Sequence, residues 1–397
     1  ADASGIDNGG SVINNGTIDW SKSTGIVRAL YDMNGSYTAG INLANAAWTA
    51  APYSGLVTQV TGYKLVNSLT DLQNVSLDLA GNYALGKDLD ASATDTSFAF
   101  SSLGNATTPF SGQFDGMGHV IDRFSQREQG SPVPGLGLFG VIGPTGVVRN
   151  VGMTNAKLST YVYFPAGIAF GILAGLNQGM ITYAYTSGTR GTASFEGATS
   201  GGLVGRNDGL IERSWSSAFV GSAGLLGGLV GLNEGTILQS YATGVASAGN
   251  HGVAGALAGF NGGSISQSYA TGTSYGSLST GGLVYENAGT IEQSFAAGLV
   301  QGYCCAPPDT PTSFGGIAAY NHPDPNAGIS ANVYWDKQTT TRSVSAGTGP
   351  QLPASNGLTT AQMSDPASFV GWDFGPTGAW VMPAGASHPV LRWQPSH

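Results

Sequence analysis

Residues 201–215, which read GGLVGRNDGLIERSW, decide the fold. Residues 227–241 repeat them as GGLVGLNEGTILQSY, and weaker copies occupy residues 170–185, 255–269, 281–295 and 315–335. One asparagine recurs at the same place in each copy, at Asn177, Asn207, Asn233, Asn261, Asn287 and Asn321. The spacing between these asparagines runs from 26 residues (233 minus 207) to 34 residues (321 minus 287). A period in this range predicts a solenoid, in which each unit buries its apolar face against its neighbours.

Each repeat contains short apolar runs separated by Gly, Asn and Ser, without the spacing of an amphipathic helix. Glycine supplies 63 of the 397 residues but has no triplet period, which excludes collagen. Gly and Asn tolerate the left-handed backbone that a chain needs at sharp corners. We therefore predict an all-β fold, a right-handed parallel β-helix with N- and C-terminal caps. One repeat would form one coil of about three strands, and coils would stack at roughly 4.8 Å.

Equivalent residues of successive coils then lie directly above one another. One interior row is predicted at Leu203, Leu229, Leu257, Leu283 and Ile317. The repeat asparagines predict a structural ladder at a corner, in which each side-chain amide bonds to the next coil. The ladder positions are Asn177, Asn207, Asn233, Asn261 and Asn287.

A row of aromatic residues follows the repeat isoleucine, at Tyr185, Trp215, Tyr241, Tyr269 and Phe295. Strict alternation would place this row inside the coil, but it would also bury Arg213 and the equivalent glutamines. Two interpretations remain. Either the chain bends between the isoleucine and the serine and buries the aromatics, or the aromatics face outward as a stacked stripe for sugar rings. We favour the bend with buried aromatics.

Charge and hydropathy limit the partners and the location. There are 14 Lys and Arg against 23 Asp and Glu, a formal net charge of −9, which disfavours nucleic acid and anionic lipid. Only 9% of residues are charged, so polar uncharged side chains must cover the outside, as in secreted bacterial passenger proteins. No apolar run is long enough to insert into a membrane. We expect a bacterial protein that is secreted or on the cell surface, without a cofactor.

The chain divides into four predicted segments. Residues 1–62 form an N-terminal β segment, either irregular β coils or a separate β layer. Residues 63–135 contain the lead-in and N-terminal cap, where a strand from Tyr63 is followed by an Asn or Ser cap and a short helix. Residues 136–335 form the repeats. Residues 336–397 form the C-terminal cap, and four of the seven tryptophans lie from Trp335 onward.

The repeats resemble the GLUG motif, named for its Gly-Leu-x-Gly core. Residues 110–121 (FSGQFDGMGHVI) are similar to the lead-in of that family, residues 137–140 (GLFG) to its first coil, and residues 334–374 to its usual ending. Tyr285 and Ala319 depart from the pattern where glycine is expected. The resemblance implies the passenger segments of filamentous-haemagglutinin-like adhesins, exported by two-partner secretion with an outer-membrane partner. It implies architecture more than activity.

Acidic residues are weak candidates for a catalytic site on such a scaffold. Glycoside hydrolysis needs two carboxylates roughly 5 to 10 Å apart, which neighbouring coils could supply through Asp208 and Glu234. A second cluster contains Asp115 and Asp122, with His119, Arg123 and Glu128 nearby. Solvated turns and lead-in structure explain both groups more simply. No metal site is predicted, because the histidines are scattered and the calcium-binding nonapeptide is missing.

Residues that break the repeat are the predicted ligand-binding positions. A loop at residues 302–313 contains Tyr303, Cys304 and Cys305, and Phe314 follows it. The adjacent cysteines could form a strained vicinal disulfide or remain as two free thiols. The irregular segment before the first full repeat contributes Tyr161, Tyr163 and Phe164.

The sequence thus predicts an extracellular adhesin or stalk segment. Its partner would be a glycan or the surface of a host or neighbouring cell, bound through many weak contacts. Two alternatives remain: a glycoside hydrolase or polysaccharide lyase on the same scaffold, and a purely structural spacer.

Overall fold

The computed structural model describes residues 8–97, 99–128, 135–160, 167–192, 198–249, 252–302, 312–324 and 327–394. Within these residues the chain is nearly all β, and its strands pair in parallel with the equivalent strands of the next coil. The predicted parallel β-helix is therefore confirmed. Four long sheets run along the axis, so a regular coil contributes one short strand to three of them and one or two strands to the fourth.

We name the sheets by their repeated residues. The isoleucine sheet contains eleven strands: Val27–Asp32, Val60–Val66, Asn82–Leu85, Gln113–Asp115, Val147–Arg149, Met180–Thr182, Leu210–Glu212, Thr236–Leu238, Ser264–Ser266, Thr290–Glu292 and Gly328–Ile329. The asparagine sheet contains eight: Phe139–Ile142, Ala174–Asn177, Val204–Asn207, Val230–Asn233, Ala258–Asn261, Val284–Asn287, Ala318–Asn321 and Ala346–Thr348. The glycine sheet contains seven: Gly135–Leu136, Ala169–Gly171, Thr199–Gly201, Leu225–Gly227, Val253–Gly255, Ser279–Gly281 and Ser313–Gly315.

The fourth, the aromatic sheet, has fifteen strands because five of its ten coils contribute two. They are Leu89–Asp90, Val120–Asp122, Ser125–Glu128, Gly152–Thr160, Tyr185–Thr192, Trp215–Ser216, Phe219–Ser222, Tyr241–Ala242, Ala246–Ala248, Tyr269–Ala270, Ser274–Gly276, Phe295–Ala296, Val300–Gly302, Tyr334–Asp336 and Gly357–Leu358. The coil therefore has more strands than the three expected per repeat. The chain makes an additional corner within the polar stretch that follows the aromatic residue of each repeat. The sequence shows no break in this stretch.

The register between coils aligns each residue with its equivalent in the next coil. Ile211 pairs with Ile237, which is aligned in turn with Ile265. The predicted leucine row lies in the main core cluster and is fully buried, at Leu203, Leu229, Leu257, Leu283 and Ile317. Each coil thus buries its apolar side chains against the coils above and below, as the physics of a solenoid requires.

The N-terminal segment forms irregular parallel coils, the first of the two arrangements expected for it. Val12–Ile13 pairs with Tyr37–Thr38, and Thr17–Asp19 pairs with Ile41–Leu43, both in parallel. The next strand, Val27–Asp32, joins the isoleucine sheet. These small coils leave apolar side chains exposed, among them Ile13, Ile41 and Leu43.

Helices occur only outside the regular coils of the described residues. The α-helices are Leu69–Asn74, Lys337–Thr340 and Thr360–Met363, and the 3₁₀ helices are Val75–Leu77, Ser92–Asp95, Ala354–Asn356 and Pro366–Ser368. The first helix begins at Ser68, whose side chain accepts a hydrogen bond from the Asp71 amide, as the sequence predicted. Thr359 and Gln362 form a capping box on the last α-helix. A short antiparallel pair, Trp380–Val381 with Val390–Leu391, ends the described chain.

Residues with a left-handed backbone conformation form the corner that determines where the aromatic row lies. Arg213, Gln239, Gln267 and Gln293 each have a φ between 41° and 47°. This is the bend predicted between the isoleucine and the serine. After the bend Ala242 belongs to the interior cluster, whereas Tyr241 belongs to a separate cluster outside the coil. The interior location considered for the aromatics is therefore wrong, because the bend resets the alternation.

Candidate functional site

The repeat asparagines form a continuous chain of side-chain hydrogen bonds along one corner. Each Nδ2 donates to the Oδ1 of the asparagine in the next coil, at 2.7 Å from Asn177 to Asn207 and at 2.8 Å from Asn207 to Asn233. The chain continues through Asn261 and Asn287 and ends at Asn321. The same amides also donate to backbone carbonyls, such as that of Gly209 at 3.2 Å. These side chains are buried, so they hold coils together and offer nothing to a ligand.

The aromatic row forms a stack on the outer surface. Ring centroids are 4.8 to 5.7 Å apart and neighbouring planes are tilted by only 2° to 7°, at Tyr185, Trp215, Tyr241, Tyr269 and Phe295. Each ring in the middle of the row covers the face of the next one. A sugar ring packs on an exposed aromatic face, so these middle rings present only their edges.

The C-terminal segment covers most of this stack. Trp380 lies 5.8 Å from Phe295 between ring centroids, and it is fully buried. Trp393 lies against Tyr241 and donates its indole N–H to the Gln239 carbonyl at 2.9 Å. Three of the five aromatics are thus buried after all, beneath the C-terminal segment and not inside the coil.

Asp115, a weak catalytic candidate, lies in a buried ion pair. Its Oδ2 accepts from the Arg149 Nε at 3.0 Å, and its Oδ1 accepts from the Met117 amide at 2.9 Å and the Asn150 side chain at 3.0 Å. Asp115 is 0% exposed and Arg149 is 1% exposed. Arg149 also donates to the Tyr63 hydroxyl. A carboxylate with these partners is structural, because substrate has no path to it.

Asp122 lies on the outside of the aromatic sheet and is held ionised. Its Oδ1 accepts from the Thr154 hydroxyl at 2.7 Å and the Asn155 amide at 2.8 Å, and these bonds keep its pKa below the usual range. Arg123 bonds to its Oδ2 at 3.1 Å. His119, nearby in sequence, pairs with Asp88 at 3.0 Å. A carboxyl group with a lowered pKa is poorly suited to act as a general acid.

Asp208 and Glu234 occupy equivalent places in adjacent coils, because the asparagines before them are in register. Asp208 bonds to the Arg206 Nε at 2.7 Å, and Glu234 is exposed. Neither side chain lines a described cavity. The coil spacing brings the pair together, but the surroundings are those of solvated turn residues.

Most of the predicted ligand positions lie outside the described residues: Tyr161, Tyr163, Phe164, Tyr303, Cys304 and Cys305. Phe314 is described and half-buried. The guanidinium of Arg342 lies 5.0 Å from its ring centroid, and its ring packs on the backbone of Gly302. Phe314 therefore already has protein neighbours.

One arginine lies in the interior of the coil. Arg190 aligns with Leu158 in one neighbouring coil and Val220 in the other, and it is fully buried. Its Nη2 donates to the Ser200 hydroxyl at 3.1 Å, whereas Nε and Nη1 have no hydrogen-bond partner. Burial lowers its pKa to about 9. Alternation along the strand would place this cost at Arg213, but Arg190 is the arginine that lies inside the coil.

An N-terminal strap, residues 50–57, crosses the outside of the isoleucine sheet. Thr182 donates its hydroxyl to the Tyr53 carbonyl at 2.7 Å, and Arg149 donates to the Gly55 carbonyl. The Arg213 guanidinium lies 3.6 Å from the Tyr53 ring centroid. Sequence reasoning missed this strap. If the repeat alignment is extended toward the N-terminus, Arg149 aligns with Asp115. This alignment is the one indication in the sequence of the residues that the strap covers.

Under the strap lies a cleft of about 530 Å³. Its walls are mainly apolar side chains of the strap and of the sheet, among them Leu56, Val57, Val147, Met180 and Leu210. Glu212 also lines it and is only 5% exposed. Burial raises the pKa of Glu212, while Thr182 and Arg213 act in the opposite direction. Among the described residues there is no group of three or more His, Cys, Asp or Glu that could hold a metal ion.

A comparison with curated proteins finds a partial likeness. Halomucin from Haloquadratum walsbyi is 35% identical over 150 residues, which is 35% of this chain and 2% of halomucin. The chain thus spans a very small part of that protein's length. No protein-family model matches the chain. Among the helices of the described residues, none has the length and apolar character needed to cross a membrane.

Two solved structures are similar at low identity. A candidate immunoglobulin A1 protease from Bacteroides ovatus is 18% identical, with a TM-score of 0.49, over 84% of this chain and 93% of that chain. A structure named IgA1 Protease is 17% identical, with a TM-score of 0.45, over 73% of this chain and 22% of that chain. Likenesses at this level carry no argument about activity.

Proposed function

We propose that this chain is a rod-shaped segment of an extracellular bacterial surface protein, and that it contacts a glycan or a neighbouring cell surface through two segments that interrupt its repeats, residues 161–168 and 303–312. The partial likeness to halomucin and the resemblance to GLUG-motif adhesins support a location outside the cell. The low share of charged residues, 9%, fits an exterior covered by uncharged polar groups.

The observation that carries this proposal is the position of the breaks in the repeat. Thr160 ends an aromatic-sheet strand and Ala169 begins the next glycine-sheet strand. Gly302 and Ser313 are the equivalent ends five coils later. Both predicted ligand segments, residues 161–168 and 303–312, are therefore inserted between the same two sheets. Five rungs at roughly 4.8 Å separate them by about 24 Å along the rod.

Insertions at one corner suit a repeating partner. Two weak contacts about 24 Å apart on a rigid rod can engage separate units of one polysaccharide or of one crowded surface, so that their affinities combine. The regular surfaces are less suitable. The asparagine ladder is buried, and the C-terminal segment covers much of the aromatic stack.

The chain itself supplies matched variants for the test. In two other coils this corner is closed by two residues, Ala223–Gly224 and Ser277–Leu278. Replacing residues 161–168 with Ala-Gly and residues 303–312 with Ser-Leu copies these short connections. Coil stacking should be preserved, because the flanking strands keep their partners.

The parent chain and the shortened variants would be screened on a glycan array and in a reducing-sugar release assay. We expect the parent to bind without sugar release, each single replacement to weaken binding at least tenfold, and the double replacement to abolish it at unchanged melting temperature. Binding that survives both replacements would refute the corner as the contact site. Sugar release would establish the enzyme alternative, and no binding by the parent would favour the structural spacer.

A further inference from the structure

The side chains that point outward from successive strands of the isoleucine sheet form an outward row. This row is unusual where the strap covers it. Asp115, Arg149, Thr182 and Glu212 follow one another in register on consecutive coils. Asp115 and Arg149 neutralise each other, and Thr182 donates to the strap. Glu212 differs from them, because one oxygen of its carboxylate is buried and has no hydrogen-bond partner.

The carboxylate of Glu212 is buried with an unused acceptor. Its Oε1 is inaccessible to solvent and makes no hydrogen bond in the structure. The nearest cation in sequence, Arg213, directs its donors elsewhere. It bonds to the Gln239 Oε1 at 3.0 Å and to the Tyr183 hydroxyl, and it packs on Tyr53. A buried acceptor without a donor is destabilising, so a group that supplies donors would be stabilised here.

The cleft next to Glu212 has the properties of a small-molecule site. Its volume of about 530 Å³ lies in the range of ligand pockets, and its walls are mostly apolar. Val57 at the strap is 59% exposed, which leaves apolar surface at the cleft available from outside. One carboxylate among apolar walls favours a cation attached to an apolar body, and it disfavours anions and polyhydroxylated sugars.

We infer that the cleft between the strap and the isoleucine sheet binds a small molecule that combines an apolar body with a primary ammonium group. The ammonium donates to the Glu212 carboxylate, and the apolar body packs against Leu56, Met180 and Leu210. The site is independent of the loops at the corner between the aromatic and glycine sheets, so either proposal can fail without the other.

The probe is 2-phenylethylamine, with 2-phenylethanol as the neutral analogue of similar shape. Binding to the whole chain is measured by isothermal titration calorimetry and by the rise in melting temperature with ligand concentration. We expect saturable binding of the amine, and affinity for the alcohol at least tenfold lower. Loss of a charge-assisted hydrogen bond accounts for a difference of this size.

Glu212→Gln keeps the shape of the side chain and removes its charge. We expect it to weaken amine binding at least tenfold while leaving the weak alcohol binding unchanged, and we expect Glu212→Asp to lie between the two. Glu292→Gln is the matched control, because Glu292 occupies the same outward row three coils away and is exposed. It should bind the amine like the parent.

Three outcomes would overturn the inference. One is the absence of saturable amine binding to the parent chain. Another is equal affinity for amine and alcohol. The third is amine affinity that Glu212→Gln and Glu292→Gln leave equally unchanged. Retained alcohol binding by Glu212→Gln shows that the cleft is intact, so misfolding cannot imitate the expected result.

Discussion

Interrupting the asparagine ladder in its middle should weaken the rod more than removing its first rung. Asn233 is fully buried. Its Oδ1 accepts from the Asn207 amide at 2.8 Å, and its Nδ2 donates to the Asn261 Oδ1 at 2.8 Å and to the Gly235 carbonyl at 3.2 Å. Asn233→Ala removes all of these bonds at once.

The magnitude follows from the groups that are left behind. The Asn207 amide keeps its bonds to the Gly209 and Thr236 carbonyls. The buried Asn261 Oδ1 loses its donor, whereas the part-buried Gly235 carbonyl keeps the Ser264 amide at 2.8 Å. A net hydrogen bond contributes about 1 kcal/mol and a stranded buried acceptor costs roughly 1 to 3 kcal/mol, so we expect a loss of about 3–5 kcal/mol. Asn177→Ala breaks one ladder bond instead of two and should cost about 1 kcal/mol less.

Urea unfolding followed by circular dichroism measures the difference, and native-state hydrogen exchange shows whether the loss is local to the affected coils. Hydrogen exchange is needed because solenoids can lose cooperativity and unfold in parts. Thr290→Ala, at an exposed position of the isoleucine sheet, is the control for a change that removes no buried bond. Equal stabilities of Asn233→Ala and Thr290→Ala would refute the argument.

Other perturbations test the buried charges and the C-terminal cover. Arg190→Leu should raise the free energy of unfolding by about 1–4 kcal/mol in urea, because it removes an interior cation with two unpaired nitrogens; a decrease would contradict this. Arg149→Leu should lower it by about 3–5 kcal/mol, because it strands a buried carboxylate partner. Burial raises the pKa of Glu212, so the stability due to its protonated form is present below the unfolded value of about 4.3 and is lost as pH rises through the folded value. Glu212→Gln should therefore gain melting temperature relative to the parent at pH 8 but not at pH 4, whereas an equal gain at both would exclude this cause. Trp380→Ala should cost about 3–5 kcal/mol and increase binding of a hydrophobic dye, since Trp380 is fully buried over the aromatic stack; unchanged dye binding would show that the stack stays covered.

The features that the sequence predicts well are those repeated from coil to coil. Asn207 and Asn233 lie in copies of one 15-residue segment, so stacking alone puts them in register. The same holds for Leu203 and Leu229. Such positions need no knowledge of distant contacts, because each residue's partner is its own equivalent in the next coil.

The orientation of the aromatic row could not be obtained in this way. Simple alternation assumes an extended backbone through Ile211 and Trp215, but Arg213 between them adopts a φ of 44°. Arginine and glutamine in a sequence do not indicate a left-handed backbone, whereas glycine or asparagine would. The bend was inferred only from the cost of burying these polar side chains.

The strap and its cleft could not be predicted from the sequence, for a different reason. Residues 50–57 have no copy elsewhere in the chain, and the bond from Thr182 to Tyr53 joins residues 129 positions apart. Neither periodicity nor local propensity determines such a contact. Glu212 gave no signal either, because the equivalent residues of the next two coils, Leu238 and Ser266, have different chemistry.

Where the rod can meet a partner follows from which of its surfaces are already occupied. The strap covers the early coils of the isoleucine sheet, and the C-terminal segment covers the aromatic stack from Tyr241 onward. The ladder corner is buried, so an insertion there would break bonds between coils. Between the aromatic and glycine sheets, by contrast, the connection varies from the two residues after Ser222 to the ten after Gly302 while the flanking strands keep their register. A corner that accepts such variation at no cost to stacking is where new contacts can be added, which is why the proposed contact site lies there.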